Sequence, residues 1–231
     1  MAAPLKDFTK FGRKIVAVGR NYAAHAAELS NPLPKIPLLF LKPTSSYVPA
    51  PKPFALPAPH VMHHEIELGI VIGKTATHVS RAEADSVVAG YCLALDMTAR
   101  DLQDKAKSAK APWTVAKGWD GFTPVSEFIP KEKISDPQNL RLWLEVDGKK
   151  VQDGNTKDMI FSIPTLISYV SKLMTLERGD VILTGTPAGV GPVQVGQTMK
   201  AGLEAPGASS QIITMSVPVI ERLPKVDVNE V

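Results

Sequence analysis

The chain has 231 residues, is 44% hydrophobic, and carries 26 Lys and Arg against 23 Asp and Glu, a formal charge of +3. That length and composition fit one domain or a small pair with a real core, and the charge lacks the basic surplus that nucleic acid demands. No apolar run reaches the ~20 residues needed to cross a bilayer, and the single cysteine, Cys92, excludes an intramolecular disulfide and favours a reducing compartment.

Residues 1–13 read as an N-terminal extension. They lack the apolar core of a secretory signal and contain Asp7 with little Arg, so the residues themselves predict no presequence. Residues 14–18 form the first predicted strand, ending at Gly19-Arg20. Asn21 stands where it can cap a short Ala-rich helix over 22–29, on which His25 and Glu28 share a face. Pro32, Pro34 and Pro37 then forbid regular structure, 37–42 is predicted as a buried strand, and 43–59 is Pro-rich and loop-like. The apolar run 65–72 is a strand, and Ser80-Arg81-Ala82-Glu83 has the spacing of a capping box that opens a helix toward Val88.

A second apolar strand over 90–95 closes at Asp96 and contains Cys92, which reads as a small core residue rather than a nucleophile. Thr98-Ala99-Arg100-Asp101 caps a helix reaching about Ala109, with Arg100 and Gln103 on one face and Lys105, Lys107 and Lys110 on a solvated one. Leu140, Leu142, Leu144 and Val146 alternate with polar or aromatic neighbours, and Asp147-Gly148 supplies a hairpin turn. Pro164 starts a helix with the apolar stripe Leu166, Ile167, Val170, Leu173 and Met174. Strands over 180–184 and 211–220 follow, and 223–231 is read as a tail. This strand-rich, irregular order is not a repeating βαβ series, and it predicts an α+β fold, mostly β.

Glu65-Ile66-Glu67 is the most informative pattern. Alternation along a strand points both carboxylates one way and Ile66, Leu68, Ile70 and Ile72 the other. Like charges on an apolar strand repel and lose solvation unless a cation compensates them. With Asp96, 29 residues beyond Glu67, they make a candidate site for Mg²⁺ or Mn²⁺. A solvated edge strand would carry the same three acids. His60, His63 and His64 lack the companions of a zinc site and read as supporting or surface residues.

The pair His25 and Glu28 is either a general base with its orienting carboxylate or an exposed helix pair. Lys117, in an apolar stretch with no acidic neighbour, is either a snorkelling lysine or a cation for a developing oxyanion. The run Thr184–Pro192 is rich in Gly and either presents N–H groups to an anion or is a tight loop; it lacks the ending of a Walker A loop.

Several stretches in fixed order resemble the fumarylacetoacetate hydrolase family, in particular its small single-domain branch of acylpyruvases and oxaloacetate decarboxylases. They are Gly19-Arg20-Asn21-Tyr22-Ala23-Ala24-His25, Leu39-Phe40-Leu41-Lys42-Pro43 and His63-His64-Glu65-Ile66-Glu67-Leu68. The order continues with Leu95-Asp96-Met97-Thr98-Ala99-Arg100-Asp101-Leu102-Gln103, then Pro112-Trp113-Thr114-Val115-Ala116-Lys117, Met159-Ile160-Phe161-Ser162-Ile163-Pro164 and Leu183 through Pro192. The resemblance implies a mixed-sheet β-roll with short peripheral helices over 14–222, working as a homodimer. It also implies a mitochondrial location, a cytoplasmic one being the alternative.

It further implies that Glu65, Glu67 and Asp96 ligate Mg²⁺ or Mn²⁺, that His25 and Glu28 form a dyad on a lid, and that Lys117 is the active-site lysine. Arg20, Arg100, Gln103 and Thr186 fall where members contact the substrate's carboxylate or keto oxygens. One departure is local: Gly118-Trp119-Asp120-Gly121-Phe122 varies within the family and is expected to adjust substrate fit.

The implied substrates are small α-keto acids, 3-acylpyruvates and oxaloacetate. Hydrolysis of the first and decarboxylation of the second share pyruvate enolate as the leaving group. Oxaloacetate keto–enol tautomerisation is the alternative activity, and a catalytically silent metal-binding dimer with an interaction role is an alternative of another class.

Overall fold

The computed structural model describes residues 3–28, 32–207 and 211–224, and its centre is the strand that follows Glu65, buried at every residue. A run that is apolar on both faces needs a layer on each side, and the rest of the chain supplies them. In chain order the strands are β1 (Ile15–Gly19), β2 (Leu38–Lys42), β3 (Tyr47–Pro49), β4 (Phe54–Leu56), β5 (Met62–His64), β6 (Ile66–Ile72), β7 (Val88–Leu95) and β8 (Thr98–Ala99). They continue with β9 (Thr123–Val125), β10 (Ile129–Pro130), β11 (Arg141–Val146), β12 (Lys149–Asn155), β13 (Val181–Leu183), β14 (Gly191–Pro192), β15 (Thr198–Glu204) and β16 (Gln211–Glu221). The helices are short: α1 (Phe8–Phe11), α2 (Ala23–Glu28), α3 (Arg100–Ser108), α4 (Thr114–Lys117) and α5 (Ile163–Leu173).

An eight-stranded mixed sheet runs β2-β1-β13-β6-β7-β9-β3, with β10 added beside β7. A five-stranded sheet runs β12-β11-β15-β16-β4, and a three-stranded one β14-β5-β8. This is the strand-rich α+β architecture that the sequence predicts. Alternation sorts the large sheet's side chains into two cores. Val16, Val18, Ile66, Leu68, Ile70 and Ile72 join the larger one, whereas Ile15, Ala17, Val71, Cys92 and Ala94 form a smaller one with Phe8. Glu67 has the parity of Val71, so its carboxylate leaves the face opposite Ile66 and Leu68, as the period of two requires.

Several local expectations need correction. Strand β2 is an edge strand, not a buried one: Leu38 is 37% and Leu41 52% exposed, and only its last residue, Lys42, is buried. Residues 43–59 are more ordered than their prolines imply, because β3 and β4 add to sheet edges there. Asn21 does not cap α2. Its amide donates to Phe161 O (3.1 Å) and Thr184 O (2.8 Å) and its oxygen accepts from Phe161 N (2.7 Å), tying three loops together.

Ser80 and Glu83 make the reciprocal bonds of a capping box, Ser80 N to Glu83 Oε2 at 3.2 Å and Glu83 N to Ser80 Oγ at 3.3 Å. The turn leads only into the 3₁₀ segment Ala84–Val87 before the chain enters β7. Thr98 spends its hydroxyl on Glu65 Oε1 (3.0 Å) and leaves α3 without a side-chain cap. On α5, Leu166, Ile167 and Val170 are buried but Leu173 is 60% exposed, so the stripe is narrower than predicted.

Strand β15 escaped the sequence reading because Gly202 and Ala201 dilute its alternation. The structure gives the reason for the glycine: a Cβ there would lie 2.3 Å from the Trp143 indole. The hairpin at Asp147-Gly148 forms as predicted, both residues having positive φ (50° and 79°). Within the N-terminal extension Phe8 is 1% exposed and its ring meets that of Tyr47 edge-on at 5.8 Å. Leu29 of the predicted α2, and all of the predicted tail beyond Pro224, lie outside the described residues.

Cys92 is fully buried and free, and burial pushes its thiol up to about 12. The expected outcome is that a thiol reagent at pH 8 fails to label the native protein but labels one equivalent in denaturant. Rapid native labelling would contradict the packing of β7 against β6.

Candidate active site

The antiparallel register of β6 and β7 builds the acidic cluster. Ile66 pairs with Leu95 and Glu67 with Ala94, and Asp96 N donates to Glu65 O at 2.8 Å, so residues at the head of one strand meet the end of the other. Carboxylate oxygens of Glu65, Glu67 and Asp96 all lie within 4.8 Å of one another, and all three residues are buried.

Cations surround them. Arg100, on the first turn of α3, reaches Glu65 Oε1 at 2.5 Å. Lys117, at the end of α4, bridges Glu65 Oε2 (3.0 Å) and Asp96 Oδ2, so the acidic neighbours that its sequence surroundings lacked come from the residue before β6 and the residue after β7. Lys42, the buried end of β2, pairs with Asp96 Oδ1 and donates to Phe122 O at 2.9 Å. Glu67 pairs with no cation among the described residues; Gly185 N donates to its Oε2 at 2.7 Å.

These contacts split the carboxylates. Burial by itself raises the Glu65 carboxyl, but the Lys117 and Arg100 charges outweigh it and hold the group below the usual carboxylate range. Burial, then the charges of Asp96 and Glu65, push Glu67 well above that range. Burial lowers Lys42 more than Asp96 restores it, whereas for Lys117 the two carboxylates prevail over burial and keep the ammonium charged. The donor set is three hard carboxylate oxygens without sulfur, which suits Mg²⁺ or Mn²⁺ rather than a soft metal.

The cleft above the acids is lined by Arg20, His25, Glu65, Glu67, Asp96, Arg100, Gln103, Lys117 and Thr186 among others. Nine of the ten residues singled out from the sequence therefore share one cavity, and the tenth, Glu28, bonds His25 from behind. His25 Nδ1 lies 3.3 Å from Glu28 Oε2, and Glu28 in turn accepts from Gly189 N at 3.0 Å. A carboxylate oxygen accepts, so Nδ1 is the donor of this pair. The Gly-rich run 184–192 thus presents two N–H groups to acids, from Gly185 and Gly189, which have φ of +92° and +95°. Arg100 Nη1 bonds Gln103 Oε1, joining the two as one donor face.

Three supporting residues were missed. Lys42 stands at the end of an apolar run and reads from sequence as a strand terminus. Gln152 lies in a hairpin strand, yet it is buried, accepting from Ile66 N (3.0 Å) and donating to Thr186 Oγ1 (2.8 Å) and Pro187 O (2.9 Å). Asn21 resembles a cap. For Lys42 alone a signal existed: a lysine directly after Leu-Leu-Phe-Leu and before a proline has no obvious solvent-facing register. His60 and His64 are buried rather than superficial, bonded to Asp101 Oδ2 (2.8 Å) and Gln152 Oε1 (3.0 Å). Burial, with Arg100 adding to it, brings His63 down to about 4, so it is neutral at pH 7. None of residues 118–122 lines the cleft; the Trp119 ring stacks on that of Phe122 at 5.6 Å.

Replacing Lys42 with Met removes a charge that faces a buried carboxylate. The expected loss, read by urea denaturation in the presence of a chelator, is about 3 kcal/mol. A change within ~0.5 kcal/mol, the range of surface substitutions, would show that Lys42 is only filling space.

Residues 14–219 match the fumarylacetoacetate hydrolase C-terminal family. The chain is 58% identical over 195 residues to a mitochondrial oxaloacetate tautomerase of Arabidopsis thaliana, covering 84% of this chain and 87% of that protein. It is 56% identical over 201 residues to a mitochondrial oxaloacetate decarboxylase of Dictyostelium discoideum, covering 86% and 92%. Among solved structures, fumarylpyruvate hydrolase of Pseudomonas aeruginosa, crystallised with Mn²⁺ and pyruvate, superposes with a TM-score of 0.84 at 34% identity, over 91% of this chain and 90% of that one. The chain belongs to the fumarylacetoacetate hydrolase family of enzymes.

Proposed function

We propose that this protein is a divalent-metal-dependent enzyme of small α-keto acids whose shared step makes or protonates an enolate. Its reactions on this reading are hydrolysis of 3-acylpyruvates and decarboxylation of oxaloacetate, with oxaloacetate keto–enol tautomerisation served by the same groups. The observation that carries the reading is a cluster of three buried carboxylates within 4.8 Å, in a cleft that also holds an oriented histidine, a buried lysine and an Arg–Gln pair. The tautomerase reading draws specific support from the Arabidopsis relative, and the decarboxylase reading from the Dictyostelium one. The mitochondrial designation of both relatives supports the same compartment for this chain. A homodimer remains our expectation from the family resemblance.

Glu65, Glu67 and Asp96 would hold Mg²⁺ or Mn²⁺, which when bound supplies Lewis acidity toward the substrate's 2-oxo group. Arg100 and Gln103 present N–H donors suited to the substrate carboxylate, and Thr186 and Arg20 close the cleft around it. The Lys117 ammonium stabilises negative charge gathering on oxygen. His25 takes a proton through Nε2 while Glu28 fixes its tautomer.

For a 3-acylpyruvate the proton comes from water. The hydroxide adds to the distal carbonyl, the C3–C4 bond breaks, its electron pair enters the pyruvate enolate, and a proton returned to C3 completes a carboxylic acid and pyruvate. For oxaloacetate the same bond breaks with loss of CO₂ and no water is consumed. In tautomerisation His25 moves a proton between C3 and the 2-oxo oxygen.

The test is a panel of oxaloacetate and acetylpyruvate with Mg²⁺ or Mn²⁺, scoring pyruvate, CO₂ and enol absorbance together. His25→Ala is expected to lower acylpyruvate hydrolysis by about 100-fold or more while decarboxylation falls far less. Equal losses would contradict the assignment of His25 to water. Turnover persisting in chelator would remove the metal.

Burial, and then the charges of Asp96 and Glu65, raise Glu67 above the carboxylate range, so a proton competes with an ion for this group more strongly than on a free carboxylate. Titration with Mg²⁺ is therefore expected to release protons, and affinity is expected to rise with pH. In Glu67→Gln the release disappears along with tight binding. Binding without proton release would contradict this competition.

A further inference from the structure

Strand β12 reads Lys-Lys-Val-Gln-Asp-Gly-Asn, the composition of an exposed hairpin edge. It is the outer strand of the five-stranded sheet, and Gln152 is the buried residue within it, at 1% exposure. An amide buried where an apolar side chain would pack costs free energy unless its hydrogen-bonding positions are filled. Here all four are filled. The oxygen accepts from Ile66 N and His64 Nδ1, both at 3.0 Å, and the nitrogen donates to Thr186 Oγ1 at 2.8 Å and Pro187 O at 2.9 Å. None of these partners belongs to the sheet that carries Gln152: Ile66 is on β6, His64 on β5, and Thr186 and Pro187 follow β13.

Two local features place the amide there. The register between β11 and β12 slips beside it, Leu144 facing Gln152 and Glu145 facing Lys150. Val151 is therefore the extra residue of a bulge, a device that re-aims neighbouring side chains. The loop after β13 lies close because two glycines allow it. A Cβ on Gly154 would collide with the Pro187 ring, and one on Gly189 with Val151 O.

The direction of these bonds is fixed. Ile66 N only donates and Pro187 O only accepts, so the amide cannot be turned over and its N–H groups face the loop. A threonine hydroxyl has one hydrogen and two lone pairs. Gln152 occupies a lone pair of Thr186, and no acceptor among the described residues takes the hydrogen. Thr186 is 2% exposed and lines the cleft with Arg100 and Gln103, whereas Gln152 stands behind it.

We infer that Gln152 is a positioning residue that sets the polarity of Thr186, committing its hydroxyl to donate toward the carboxylate of the bound substrate. The inference rests on the functional reading above and deepens it. An oxygen that accepts is favoured at this point of the cleft and a group that donates is rejected. The substrate carboxylate is charged before and during the reaction, so losing this donor falls on KM rather than kcat.

The test is a double-mutant cycle on acetylpyruvate hydrolysis with Mn²⁺. Thr186→Val removes the donor and Gln152→Glu turns it away. A carboxyl group at 152 offers at most one hydrogen to two acceptors, so the Thr186 hydroxyl donates back to it. Each substitution is expected to raise KM by about 10-fold, the contribution of a hydrogen bond to a charged group, with a much smaller change in kcat. Gln152→Met, similar in length, leaves the hydroxyl undirected and is expected to raise KM by less; it carries the cycle should Gln152→Glu fail to fold. In the Thr186→Val background neither Gln152 substitution is expected to raise KM further.

An equal rise in KM with and without the Thr186 hydroxyl would overturn the inference. Gln152 would then be a brace between sheets, whose loss lowers the thermal midpoint alike in both backgrounds. A KM unmoved in the Gln152 variants would also overturn it, while wild-type turnover keeps the functional reading intact. No pyruvate from wild-type protein with either acetylpyruvate or oxaloacetate would remove that reading, and this inference with it.

Discussion

Three carboxylates buried within 4.8 Å of one another are the constraint from which the rest of the site follows. Left ionised and unpartnered in a protein interior they would be prohibitive, by several kcal/mol per ion even after relaxation. The chain answers with fixed cations from three separate elements: Lys42 from the end of β2, Arg100 from α3 and Lys117 from α4. Glu67, which none of them reaches, is held by a glycine N–H, and burial raises its carboxyl above the usual range. The balance makes sense for a site that receives a hard ion, because the ion can take over part of the neutralisation that Lys117 and Arg100 now provide. Those two cations also border the space where an anionic substrate would lie.

The surrounding fold serves this arrangement. The register of β6 against β7 joins the head of one strand to the end of the other, and Gln152 and Asn21 bind the loops beside that junction. Gln152 links Ile66, beside both glutamates, to Thr186 across the cleft, so a single amide couples the acidic cluster to the substrate-facing loop. Glu28 is anchored to the same loop through Gly189, which fixes the angle at which His25 enters the cleft.

Much of this was legible in the sequence, and the division between what was and was not has physical causes. The Glu65-Ile66-Glu67 parity needs only the period of two, so the shared face could be read without a fold. The spacing of His25 and Glu28 needs only one helical turn. Lys42, Gln152 and Asn21 could not be recognised this way, because each owes its role to partners from 34 to 163 residues distant. Strand β2 was misplaced for a related reason: Leu-Leu-Phe-Leu is the same run on a buried strand and on an edge strand. Thr98 and Asn21 looked like helix caps, and tertiary partners took their side chains instead. The family resemblance added the roles that spacing alone left open.

The relatives bear names for tautomerisation, decarboxylation and hydrolysis, which are different outcomes of one electron-pair movement into an α-keto acid. On this account the acidic cluster and its cations are common to all three, and the Thr186 donor that Gln152 sets serves the carboxylate their substrates share. The most direct test of the central claim is anomalous diffraction at the manganese edge from crystals grown with Mn²⁺. The account predicts one strong peak bonded to oxygens of Glu65, Glu67 and Asp96, with Lys117 withdrawn from at least one of its two carboxylates. A map without that peak, with Lys117 still bridging Glu65 and Asp96 at saturating Mn²⁺, would contradict it.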